Sequence, residues 1–595
     1  MLGAILLHAA LGVVLALLVW SVGLGIVPRR PPIAYAVGLL AVAAAALAIL
    51  ISPWLALVAL PLLGVALARA RPGPAFTPLA RALPAALGLG IALGFLLRPP
   101  SATHDSNAYG DFLYYAQKAL AARESIAPLR DYLVEGQRST YVEAAPALLG
   151  GALTHVPGFD AFLFGAASLP AFLVAALAVG AGLTLRRLPR DTWLLALLGI
   201  TCIAYPTWLT ESAPVALAVP LAFPLYTLWR DGARRSEWIV FAIVLAIDVV
   251  LTKGFAAVTI AVFGTAALVD RYGFRARRAL PWIAVAAAVA AAAVALFLLT
   301  SSWLADVLHA KFLPADAVRG LNHQLTTRDT QSLAPALLVV GEALLLAALA
   351  RARAWPFAAA AAAGIAGTWL VGGHGFDITI GLTVLLAVLF FAEEPESLAR
   401  QRPLLAGAAL TLALSAWFRD ISGVRTAFFL VALLGLGLLA MFGGRSARVA
   451  VVAALGLAVA APFALERGQT TLYAEDYRIW NAVEQLVPRD GLVFTSETGP
   501  QVTGTQGWNY YPGVARRQVY LAGWSNSSLL VRRDELRRRL ALNRRVLAGS
   551  LDPRAVPLSR TYDGYFAVLP ARERAPVPFR RLYRNGRWAL YRIES

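Results

Sequence analysis

What most constrains this chain is the recurrence of long apolar stretches. Between Met1 and Val27 the only ionisable side chain is His8, and runs of the same kind return until about residue 465. An apolar helix needs about 20 residues to cross the hydrocarbon layer. Inside that layer every backbone N–H and C=O must be satisfied within the segment, so such runs are expected to be helices. Counting on this rule places them near 4–26, 33–50, 53–69, 81–97, 159–185, 191–206, 208–229, 236–252, 254–270, 279–300, 332–350, 354–371, 377–392, 402–417, 424–442 and 447–465. The expected fold class is therefore a polytopic α-helical membrane protein of about sixteen spans, with both termini outside and a soluble α/β domain at its C-terminus. Composition agrees: 59% of residues are hydrophobic and 15% charged, against about 45–50% apolar in ordinary soluble chains. The single cysteine, Cys202, excludes a disulfide framework and a cysteine metal site. Residues 1–27 lack a basic leader and run at full spanning length, so they read as a first helix and not as a cleaved signal.

Arginine placement sets the orientation. The connections at 28–32, 68–73, 186–191, 230–237, 270–278, 351–355 and 443–448 are all basic and fall on one side of this count, which is assigned to the cytoplasm. Residues 98–158, 301–331 and everything after 466 then face outward. Five of the six histidines and all three lysines (Lys118, Lys253, Lys311) map to that outer face or its rim. The chain divides into a membrane domain, 1–465, and an outward tail, 466–595. Its Arg-rich, Ala-rich, Lys-poor composition suggests a GC-rich bacterial genome, so the expected location is the bacterial cytoplasmic membrane.

In the tail the pattern changes to short helices and strands, ending in a hairpin closed by Asn585-Gly586. It carries 21 Arg against 12 Asp plus Glu, which suits anionic lipid headgroups or phosphorylated carriers. Arg532, Arg533, Arg537, Arg538 and Arg539 also fit a plain solvated helix face. Residues 508–528 set Tyr511 and Trp524 among arginines and small polar residues, a composition shared by carbohydrate contacts and by membrane-facing surfaces.

The outer loop begins with the stretch THDSNAYGDFLYYAQKAL, residues 103–120. Thr103 or Asp105 can cap a helix starting near Asn107, after which Phe112, Tyr115, Ala116 and Ala119 share one face and predict an amphipathic helix along the membrane surface. Asp105 then stands at the boundary of water and lipid. It reads either as a helix cap or as a general base for an acceptor hydroxyl.

A span followed at once by an outer loop with an Asp, a Tyr four residues later and an amphipathic AQKAL helix resembles the GT-C superfamily of polyprenyl-phosphate-sugar-dependent membrane glycosyltransferases. The aminoarabinose transferases and protein O-mannosyltransferases are members. In that family the motif is Asp-Glu followed by an aromatic residue, its first carboxylate being catalytic. Here Asp105 takes that place and Tyr109 matches the aromatic, while Ser106 stands where Glu is usual and three extra spans precede the motif. The resemblance implies Asp105 as catalytic base, working alone, with Asp111 or with Glu143. It also implies a polyprenyl-phosphate sugar donor.

Such a donor needs cations for its phosphate. Arg138, Lys253, Lys311, Arg319, Arg328, Arg419 and Arg425 are candidates, each also readable as an interface anchor. His374 and Asp377 lie in a glycine-flanked outer turn that can line the acceptor pocket, help Asp105 hold a divalent ion, or cap a helix. No cofactor is required by the sequence. Expected partners are membrane lipid, the lipid-linked donor and a glycan, lipid or protein acceptor, with no nucleic acid. Glu211, Asp248 and Glu342, carboxylates within spans or at their rim, fit relay groups in one alternative, a transporter or flippase of lipid-linked sugars; a further alternative is a non-catalytic envelope-synthesis scaffold with the tail as docking module.

Overall fold

The computed structural model describes residues 2–29, 31–70, 73–96, 110–125, 132–136, 144–186, 216–232, 234–252, 256–273, 334–367, 377–418, 474–496, 515–522 and 533–594. Small residues along the first helix determine how closely its neighbours approach. Helix α1 (Leu2–Ile26) meets α2 (Ala34–Ile51), α3 (Pro53–Arg69) and α7 (Ala161–Thr184) through glycines. A Cβ on Gly12 would lie 1.9 Å from the Ser168 carbonyl oxygen, on Gly23 1.7 Å from that of Ala34, and on Gly25 1.7 Å from that of Ala66. Lipid tails are as apolar as leucine, so close backbone packing and hydrogen bonds hold such a bundle. The Trp20 indole donates to the Ala176 carbonyl at 3.1 Å and the Tyr35 hydroxyl to that of Leu217 at 2.7 Å. Helix α7 is buried from Phe162 to Ala181, with a π-helical turn at Phe164–Ser168. Asp160 caps it by accepting from the Phe162 amide at 2.8 Å.

These contacts also give direction. Gly12 meets Ser168 and Trp20 meets Ala176, so α1 and α7 run the same way. Helix α4 (Gly73–Leu96) runs against α7, with Pro78 on Gly182 at one end and Gly94 on Ala167 at the other. Helix α2 runs against α1, with Ala34 on Gly23 and Gly38 on Val19. The alternation expected of consecutive spans therefore holds for these four.

Among the described residues, Leu2–Ile26, Ala34–Ile51, Thr77–Phe95 and Ala161–Thr184 are long and apolar enough to cross a membrane, which marks the chain as membrane-associated. Further apolar helices are α8 (Ala222–Asp231), α9 (Arg235–Leu251), α10 (Ala256–Tyr272), α11 (Ala334–Arg351), α12 (Trp355–Gly367), α13 (Asp377–Glu393) and α14 (Pro395–Phe418). The helices expected near 191–206, 279–300, 424–442 and 447–465 lie outside the described residues. Two boundaries differ from the sequence reading: α4 starts at Gly73 instead of 81, and α14 at Pro395 instead of 402. Both helices run through internal prolines, Pro78 and Pro84 in one and Pro403 in the other. Neighbouring helices in a bundle can re-satisfy the freed carbonyls.

At one end of the bundle an ionic knot joins four elements. Arg230 binds Glu393 at 2.7 Å, Arg186 binds Asp231 at 2.8 Å, and the Tyr226 hydroxyl donates to Glu393 at 3.0 Å. Arg230 also donates to the Thr184 carbonyl at the end of α7, and Trp229 to Asp270 at 3.2 Å. The segments at 186, 230 and 270, grouped by their arginines in the sequence, thus share one end.

The C-terminal region is a small α/β unit. Helix α15 (Ala474–Leu486) and α16 (Arg533–Leu547) flank a five-stranded sheet of order β2-β1-β3-β5-β4. Its strands are β1 (Gly491–Thr495), β2 (Gln518–Val519), β3 (Gly564–Pro570), β4 (Phe579–Arg584) and β5 (Trp588–Ile593). Pairings β2–β1 and β1–β3 are parallel, β3–β5 and β5–β4 antiparallel. Strand β1 is buried at every position and apolar up to Thr495, as expected of a central parallel strand. Trp480 of α15 is 2% exposed, and burying such a side chain contributes about 2–3 kcal/mol. The hairpin expected at Asn585-Gly586 is present. Its turn is held by the Asn585 side chain, which accepts from the Arg587 and Trp588 amides at 3.0 and 2.8 Å, an Asx turn.

Candidate functional site where the loop meets the tail

Strand β2 has two residues and forms a sheet edge, a row of unpaired backbone groups that folded proteins cover. Here the cover comes from about 390 positions earlier in the chain. Residues 132–135 meet 519–522 through one antiparallel bridge, Val134 to Leu521: the Ala522 amide donates to Leu133 O at 2.7 Å and the Glu135 amide to Tyr520 O at 3.1 Å, and beside it the Val519 amide donates to Tyr132 O at 2.8 Å. Gly136, at φ +72°, follows in a left-handed turn.

The segment is fixed by a carboxylate. Glu135 is 1% exposed, and its Oε1 accepts from the Ser559 amide at 2.8 Å, the Ser559 hydroxyl at 2.5 Å and the Tyr562 hydroxyl at 3.2 Å. Arg539 of α16 approaches Glu135 Oε2 at 3.8 Å, donates to the Glu135 carbonyl at 2.7 Å and lies 5.7 Å from the Tyr520 ring centre. Its other partner is Glu535, at 2.9 Å. Hydrogen bonds from Arg538 and Arg539 hold the Glu535 carboxyl below its ordinary range. Burial pushes the Tyr520 and Tyr562 phenols up to about 12, so both stay neutral donors at physiological pH. A charge-assisted hydrogen bond contributes about 1.5–3 kcal/mol.

A second contact ties the same joint to α5 (Gly110–Glu124). The Tyr132 hydroxyl donates to Glu124, and Arg516 bridges Glu124 at 3.6 Å and Glu484 of α15. Arg516 holds φ +52°, uncommon for a side chain with a Cβ. Below, α6 (Ala144–Leu153) packs against α5 through Gly150 and Gly151, and Gly151 also meets Leu50 at the end of α2. The joint therefore lies at the end of the bundle where α2 finishes and Asp160 starts α7, opposite the Arg230–Glu393 knot.

Helix α5 corrects one expectation. Its described part runs from Gly110, the start expected near Asn107 lying outside the described residues, and it is enclosed by protein instead of lying on a membrane surface: Tyr115, Ala116, Gln117, Lys118, Ala119, Ala121 and Ala122 are all buried. The apolar face seen in the sequence is real, but its opposite face, Gln117 and Lys118, is covered as well.

Of the residues singled out from sequence, Asp111 is the second residue of α5, with its side chain outside the description. Asp105, Tyr109, Arg138, Glu143, Glu211, Lys253, Lys311, Arg319, Arg328, His374, Arg419, Arg425, Tyr511 and Trp524 lie outside the described residues. Asp377 is the first residue of α13. Among the described residues no three or more His, Cys, Asp or Glu gather as a metal site. Glu342 is buried, and Asp248 is fully buried in α9, its carboxylate oxygens without a hydrogen-bond partner among the described residues. Sequence reasoning missed Glu124, Glu135, Arg516, Ser559 and Tyr562. One signal was present: YLVEG, 132–136, is a short apolar run closed by glycine, the pattern of a strand. Arg539, grouped with solvated arginines, is instead 12% exposed at the joint. No family model matches this chain, and no curated protein matches it either.

Proposed function

We propose that this protein is a membrane glycosyltransferase that moves a sugar from a polyprenyl-phosphate donor to an acceptor at the outer face of the bacterial cytoplasmic membrane. Asp105 acts as the general base. It takes the proton of an acceptor hydroxyl as that oxygen bonds to the anomeric carbon from the side opposite the phosphate. The carbon–oxygen bond to the phosphate breaks, its electron pair leaves with the polyprenyl phosphate, and arginines and lysines of the outer loops stabilise the charge. The observation that supports this reading is the joint at Glu135. It ties the segment between α5 and α6, which leads into Arg138 and Glu143, to an arginine-rich α/β tail at one end of an apolar bundle. A lipid-borne donor and a water-borne acceptor can meet at such an end.

The test is sugar transfer by purified wild type and Asp105→Asn from a panel of polyprenyl-phosphate sugars. Loss of a general base lowers the rate about 10²- to 10⁴-fold, and undiminished turnover by Asp105→Asn would remove the proposed base. A second reading, transport of a lipid-linked sugar, draws on Asp248, which has no hydrogen-bond partner among the described residues, since a buried intramembrane carboxylate is often a relay group. Transport into vesicles that Asp248→Asn abolishes and Asp105→Asn leaves intact would favour it.

A further inference from the structure

On the tail, a cleft of about 940 Å³ opens beside the amino-terminal end of β3 and the carboxy-terminal end of β5. Three guanidinium groups, Arg554, Arg560 and Arg592, line it together with Thr561, Asp563 and Tyr565. Arg560 is already engaged: it binds Asp490 at 2.9 Å and stacks on the Tyr562 ring at 4.7 Å. Glu594, at the rim, faces Arg580 at 3.7 Å. Arg554 and Arg592 are exposed and form no ion pair among the described residues. Gly564, on the cleft wall, lets a ligand approach the backbone.

This mixture selects a ligand class. A bare anion site would gather donors and exclude carboxylates, yet Asp563 lines the cleft beside the two unengaged arginines. Sugar hydroxyls donate to a carboxylate and accept from threonine and arginine, a half-buried tyrosine offers its face to a pyranose ring, and paired guanidinium groups clasp a phosphate or carboxylate. The volume lies near the top of the range for small-molecule sites, about 300–1,000 Å³. The geometry points to a binding site for an anionic saccharide, a sugar ring bearing a phosphate or carboxylate group. The cleft also adjoins the joint. Arg560 and Thr561 face the ligand space, while their neighbours Ser559 and Tyr562 hold Glu135. An occupant would therefore press on the segment that grips the loop between α5 and α6.

This inference goes beyond sugar transfer and does not require it. The test is saturation-transfer NMR and calorimetry on the full chain in phosphatidylcholine nanodiscs. The probes are glucose 1-phosphate, glucuronate, glucose and inorganic phosphate. The first two should bind at least tenfold more tightly than the last two. Arg554→Ala and Arg592→Ala should each weaken that binding about 10- to 100-fold, the equivalent of one charge-assisted contact. Arg572→Ala, exposed on the turn after β3, should leave it unchanged. Equal affinity for inorganic phosphate and glucose 1-phosphate would reduce the cleft to a plain anion site and overturn the inference. So would binding that survives both arginine variants. Asp105→Asn should retain full binding. Binding that persists in a wild type unable to transfer sugar would refute the transferase reading and leave the cleft standing.

Discussion

Glu135 offers the most direct measurement of how firmly the tail is held. Replacing it with alanine removes the acceptor of three hydrogen bonds, from the Ser559 amide, the Ser559 hydroxyl and the Tyr562 hydroxyl, and one of Arg539's two acidic neighbours. Each charge-assisted bond contributes about 1.5–3 kcal/mol. The terms do not add, because they share one carboxylate. Removing one member of a buried charged network costs about 3–5 kcal/mol, and the lower figure corresponds to roughly 150-fold in the opening equilibrium. The joint supplies its own reporters. The Val519 and Ala522 amides donate across it, to Tyr132 and Leu133, while the Tyr520 amide between them donates within the sheet to Val493 at 2.8 Å. Hydrogen exchange read by mass spectrometry with electron-transfer fragmentation should show Val519 and Ala522 about 100-fold faster in Glu135→Ala, with Tyr520 little changed. Glu135→Gln keeps an acceptor and loses only the charge, so the acceleration should be nearer tenfold. If Val519 and Ala522 stay within threefold of wild type, Glu135 does not hold the joint. If all three amides speed up equally, the variant has loosened the sheet itself and the reasoning also fails.

Two further outcomes are expected. Gly23→Ala would place a methyl 1.7 Å from the Ala34 carbonyl oxygen, whereas Gly64→Ala meets nothing within 4 Å. The first should lower the thermal midpoint in detergent through overpacking, about 1–3 kcal/mol or more, and the second should leave it unchanged or raise it by its better helix propensity, up to about 1 kcal/mol; equal midpoints would refute the close approach of α1 and α2. Glu535 has a depressed folded pKa against an ordinary value of 4.5, so its contribution is complete above that value and is lost as pH falls through the folded one. Exchange protection of Ala522 should be flat from neutral pH to about 5 and decline below 4.5, and Glu535→Gln should flatten that acid limb.

Most of what the sequence determined rests on local, periodic physics. A run such as 2–26 has to become a helix once water is absent, because nothing else satisfies its backbone, and an alternating run closed by Asn-Gly has to become a hairpin. Hence the boundaries of α3 and α1, the helices and strands of the tail and the hairpin of β4 and β5 were all legible in advance. The errors fell where a local cue competed with packing. The spans expected from 81 and 402 begin earlier, at Gly73 and Pro395, and run through Pro78 and Pro403, where neighbouring helices can relieve the prolines. The face of Phe112, Tyr115, Ala116 and Ala119 predicts a helix along the membrane surface, yet Gln117 and Lys118 beside it are buried as well. Asp105 was legible as a candidate through its position beside a span and its family resemblance, neither of which reveals what surrounds it.

Only the tertiary structure could bring Glu135 to Ser559. The two residues are 424 positions apart, no periodicity links them, and a single glutamate in a loop looks like any solvated charge. A strand edge left open at β2 has to be covered, but the amino acids of β2 do not say by which segment. That choice belongs to the folded chain, where the cost of burying a carboxylate is offset only because two hydroxyls, an amide and Arg539 converge on one point in space.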